Sequence, residues 1–73
     1  MGAEAEMVLA WTVASDCWTA HGVTRDNVFC RLTTIRHGVT VVEEVDDRTG
    51  FPVKVIGTFV SSVAAVRELG VIS

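Results

Sequence analysis

Apolar positions recur with a helical period in the first half of the chain and with a strand period in the second. In residues 3 to 20, Met7, Trp11, Ala14 and Trp18 fall at i, i+4, i+7 and i+11, which lines one helix face with both tryptophans. The segment reads as one helix or as two, with Thr12 able to cap the second. This stripe suits core or dimer packing better than ligand stacking. Gly22 fits the left-handed residue that closes a helix, and Val23 can pack back on it. Thr24 is then an N-cap, and Asp26 suits the positive end of the next helix dipole. Over 25 to 36, Val28, Leu32 and Ile35 recur at i, i+4 and i+7, and Phe29 widens the stripe. Arg36 and His37 favour the C-terminal end of such a helix, and Gly38 stops it.

The period then changes. In "VTVVEEVDDRTGFPVKVIGTF", Val39, Val41 and Val45 alternate, as do Phe51, Val53 and Val55, around the turn-rich "DDRTG". An antiparallel hairpin follows, with Val45 opposite Phe51 and Val41 opposite Val55. A shift of one residue would instead pair Glu43 with Lys54. Pro52 implies that its strand has an open side there. Ser61 or Ser62 can cap a short last helix, "SVAAVRELG", that ends at Gly70. The expected fold class is α+β: a small helix–helix, helix-turn-helix-like unit, then an antiparallel β-hairpin and a short C-terminal helix. Residues 1–73 form a single domain.

Composition changes this picture in one respect. Apolar residues make up 49% of 73 positions, a high fraction for a chain with so much surface to cover. A second burial surface is expected, most simply in a homodimer. No apolar run approaches the roughly 20 residues that cross a bilayer, and Glu4 and Glu6 stand where a secretion signal carries Lys or Arg. A cytoplasmic protein without a membrane partner is expected. Cys17 and Cys30 form no metal pattern and read as reduced, buried thiols. Glu43, Glu44, Asp46 and Asp47 lack the spacing of a calcium loop and read as a solvated hairpin tip. Neither a cofactor nor a metal is expected, and no nucleophile is paired with a base, so an enzyme or ligand carrier ranks last.

The net charge of −3 disfavours a generic nucleic-acid binder, yet Arg25, Arg31 and Arg36 are concentrated around "AHGVTRDNVFCRLTTIRHG". "TVASDCWTAHGVTRDNVFCRL" resembles a helix-turn-helix: a short helix, a turn carrying Gly22 and Val23, Thr24 as cap, and a second helix with Val28 and Leu32 at the pattern's apolar spacing. With the hairpin as wing and the last helix as closing element, residues 12 to 69 resemble small winged-helix DNA-binding regulators of the phage repressor or excisionase type. That resemblance implies that Thr24 and Arg25 touch phosphate or a base edge. It implies that Asn27, Cys30, Arg31 and Thr34 enter the major groove, and that Arg48 sits at the wing tip. It makes the chain a dimeric DNA-binding regulator or recombination accessory protein. The alternative is an acidic protein-interaction module without DNA binding. It would take a partner protein through the hairpin edge or an apolar surface, since an open edge strand accepts another strand.

Overall fold

β-Branched and aromatic side chains, rather than good helix formers, dominate residues 12 to 34, and that stretch is built of strands. The computed structural model describes residues 9–14, 16–36 and 38–73. Their elements run β1 (Thr12–Ala14), β2 (Cys17–Val23), β3 (Phe29–Thr34), β4 (Thr40–Val45), β5 (Pro52–Phe59) and α1 (Ser62–Leu69). The strands form one five-stranded antiparallel sheet in sequence order, so each hydrogen-bonds to the next and β3 is central.

Alternation along the strands divides the sheet into two faces. Ala20, Leu32 and Val42 pair across β2, β3 and β4 and are all buried. With Leu9, Cys30, Ala65 and Val71 they form the core cluster, so this face lies under the helix. The intervening positions His21, Arg31 and Glu43 pair across the same strands on the opposite face. No helix covers that second face among the described residues.

The helix–helix unit expected at the start is therefore absent, and with it the helix-turn-helix and winged-helix arrangement. Trp11, Ala14 and Trp18 do not share a helix face: Ala14 and Trp18 belong to β1 and β2, and Trp11 precedes them. Met7, the fourth member of that stripe, and His37 lie outside the described residues. Gly22 closes no helix. It lies buried within β2, where its missing side chain leaves room for Val71 and the Ile72 carbonyl. Thr24 caps a tight turn: the Val28 amide donates to its Oγ1 at 3.2 Å, and the Asn27 amide donates to its carbonyl at 2.9 Å. Asn27 takes the left-handed conformation (φ 66°) that makes this turn. The span read as a second helix is this turn followed by β3. Its period-2 pattern, with Cys30 and Leu32 buried between partly exposed Phe29, Arg31 and Thr33, overrides the spacing of Val28, Leu32 and Ile35.

The second half follows the sequence more closely. The hairpin forms, with Asp46 Oδ1 accepting from the Arg48 and Thr49 amides at its turn. Its register departs from both expected pairings. Val45 faces Pro52, Glu44 faces Lys54, Glu43 faces Val55 and Val41 faces Thr58, because bulges interrupt the pairing on either side of Glu43–Glu44. Ser61 caps α1 by accepting from the Ala64 amide, and Gly70 closes it in the left-handed conformation. Beyond Gly70 the chain returns to the sheet, where Val23 and Ile72 exchange backbone hydrogen bonds of 2.7 and 2.9 Å. The Arg25 amide also donates to the Leu69 carbonyl at 2.8 Å, which ties the β2–β3 turn to the end of the helix. None of the helices formed by the described residues is long and apolar enough to cross a membrane.

Candidate functional site

The residues expected to read DNA do not converge on one surface. Thr24 is buried in the β2–β3 turn, and Asn27 is exposed at its tip. Arg25 lies over Gly70 and reaches the Arg67 carbonyl at 3.5 Å. Cys30 is wholly buried under the helix. Thr34 is on the same face at the far end of β3, where its Oγ1 lies 2.8 Å from that of Thr40. Arg31 points to the other face and donates to Glu43 Oε1 at 3.0 Å, while its Nε is buried without a partner. Arg48 is at the β4–β5 turn. Two of the cations around the arginine-rich stretch are also neutralised, Arg31 by Glu43 and Arg36 by Asp16 at 3.3 Å.

Among the described residues, what the fold does assemble is an open sheet edge. β5 lies at the end of the strand order, and its eight residues have β4 on one side only. The opposite edge, β1, is three residues long. The Phe51 carbonyl accepts from the Asp46 amide at 3.0 Å. Alternation therefore turns the Pro52 nitrogen outward, where the ladder needs no donor. Phe51, Val53 and Val55 stand at every second position and are 73%, 59% and 60% exposed. Lys54 and the two bulges restrict what can pair here, since both features discourage indiscriminate edge contacts. Pro52 signalled the open side in the sequence; the exposure of the valines did not, because the same alternation serves a buried strand.

Further across the sheet, on β2 and β3, the uncovered face carries His21 stacked on Phe29, with ring centroids 5.8 Å apart and planes inclined by 16°. The Arg31–Glu43 pair lies next to it. Both partners are partly open to solvent, so the pair contributes modest stability and mainly satisfies charge.

The described residues contain no cluster of three or more His, Cys, Asp or Glu able to hold a metal ion. The cysteines are free thiols, Cys17 half-buried and Cys30 fully buried. Burial pushes the Cys30 thiol above its ordinary pKa, against a smaller lowering by its hydrogen bond to the Gly22 backbone. The unfolded chain therefore loses this proton at a lower pH than the folded one. Stability from this site is fully present below the unfolded thiol pKa and falls as pH rises through it. Urea midpoints of the wild type should decline above about pH 8.5, whereas those of Cys30→Ala, lower at neutral pH, should decline less over the same range. Parallel pH profiles for the two proteins would refute the assignment.

No family model, curated protein or solved structure matches this chain.

Proposed function

We propose that this chain is a protein-interaction module that takes an extended segment of a partner protein onto the outer edge of β5. The observation that carries this reading is the row of exposed Phe51, Val53 and Val55 along an edge strand with no neighbour on its outer side among the described residues. Such an edge presents main-chain donors and acceptors that a second strand satisfies, and alternate side chains then select its sequence. Pro52 and Lys54 bear on register: pairing is favoured towards Gly57–Phe59, and the apolar residues before it contact the partner's side chains.

The test uses the whole chain as bait in its native cells, after nuclease treatment. A protein so captured supports the proposal only if, purified and added back, it slows amide exchange along β5. Its binding must also weaken when Val53 and Val55 are both changed to lysine. Binding that leaves β5 exchange unchanged, or that the double variant retains in full, would remove the edge from the function. Failure to capture any partner would count against the reading as a whole.

A further inference from the structure

A second surface is independent of the β5 edge. At one end of the helix-covered face, Trp11, Trp18, Thr34 and Ser62 line an open cavity of about 490 Å³. We propose that this cavity binds a small uncharged ring compound that carries a hydrogen-bond donor.

Three observations define that chemistry. The helix makes its main contacts with β4 and β5, and Trp18 on β2 is 51% exposed. An indole held by a strand and left half in solvent offers a flat apolar surface on which a ring can stack. Next, none of these four lining residues carries a charge. These four residues offer a charged ligand group no counter-ion, which on their part of the wall disfavours ions against neutral compounds. The third concerns protons. Thr40 Oγ1 donates its one proton to the Gly38 carbonyl at 3.1 Å. In the 2.8 Å contact between the two hydroxyls, Thr34 must therefore be the donor. This leaves Thr34 Oγ1 with a lone pair as its remaining capacity towards the cavity, an acceptor for an O–H or N–H group. Ser62 adds a second hydroxyl-bearing residue to the lining, and the volume lies within the range of about 300–1,000 Å³ usual for small-molecule sites.

Both tryptophans of the chain line this cavity and there is no tyrosine, so intrinsic emission originates at the site itself. The probe is N-phenyl-1-naphthylamine, a neutral two-ring compound with one N–H group, titrated while energy transfer from tryptophan is recorded. Saturable binding of one dye per chain is expected. The anionic analogue 1-anilinonaphthalene-8-sulfonate should bind about ten-fold more weakly or less. Trp18→Ala should weaken the neutral dye by about ten-fold, and Trp18→Phe, which restores a ring, should recover most of that loss. Phe51→Ser on the β5 edge should change nothing. Amide shifts caused by the dye in the wild-type chain should gather at Trp18, Thr34 and Ser62, which decides the matter even if Trp18→Ala does not fold. Absence of saturable binding, equal affinity for the anionic dye, or shifts gathered on β5 would each overturn the proposal.

Discussion

Replacing Leu32 with alanine should lower the unfolding free energy by about 3 kcal/mol, within the range of about 2–5 kcal/mol usual for removing a large buried aliphatic side chain. Leu32 is wholly inaccessible to solvent and sits on the central strand, between Ala20 of β2 and Val42 of β4. Sheet on both sides and the core cluster around it leave little freedom to collapse into the space, which favours the upper part of that range. A domain of this size has a total stability of about 4–11 kcal/mol, so the variant should unfold at a much lower urea concentration. The shift in urea midpoint at constant slope measures the effect. A cost below about 1 kcal/mol would mean that Leu32 is not at the centre of the core.

A single added methyl group at Gly22 should be almost as damaging. A Cβ there would lie 2.6 Å from Val71 Cγ1, 2.7 Å from the Ile72 carbonyl oxygen and 3.2 Å from Leu9 Cδ2. The valine can rotate away. The carbonyl cannot, because it accepts the Val23 amide at 2.7 Å while the Ile72 amide donates back at 2.9 Å. Gly22→Ala must therefore displace either β2 or the returning C-terminal segment, at about 2–3 kcal/mol. Hydrogen exchange separates this from a general loss of stability: the Ile72 and Val23 amides should lose protection before those of β3 and β4. Wild-type protection at both amides would show that the close approach does not exist.

The two halves of the chain differed in how far their fold was legible in the sequence. The hairpin and α1 were readable because several signals agree there. Alternating valines flank a turn-rich run, Ser61 precedes a helical stretch and Gly70 follows it. Register was harder to read, because a bulge changes which residues face each other without changing the pattern of either strand. In the first half, Leu32 satisfies both periods, with Val28 and Ile35 at helical spacing and with Cys30 at strand spacing. Gly22 and Thr24, suited to helix ends, are equally suited to a crowded strand and a tight turn. The decisive information was the weight of threonine, valine and aromatic residues from 12 to 34, which favours a pleated surface. The open edge was partly visible through Pro52. The tryptophan cavity was not, since the described residues that line it lie on separate segments that only the fold brings together.

The bridge between Val23 and Ile72 also affects how the molecule is made. Every strand pairing in the sheet joins neighbours in sequence, so hairpins can form one after another as the chain leaves the ribosome. The apolar face of that nascent sheet has no such local solution: Ala65 and Val71, which complete the core, arrive after all five strands. Until then Ala20, Leu32 and Val42 lack the helix side of their cover and are open there to water and to other chains. The vulnerable interval in the life of this protein is its synthesis, when the sheet exists and its lid does not.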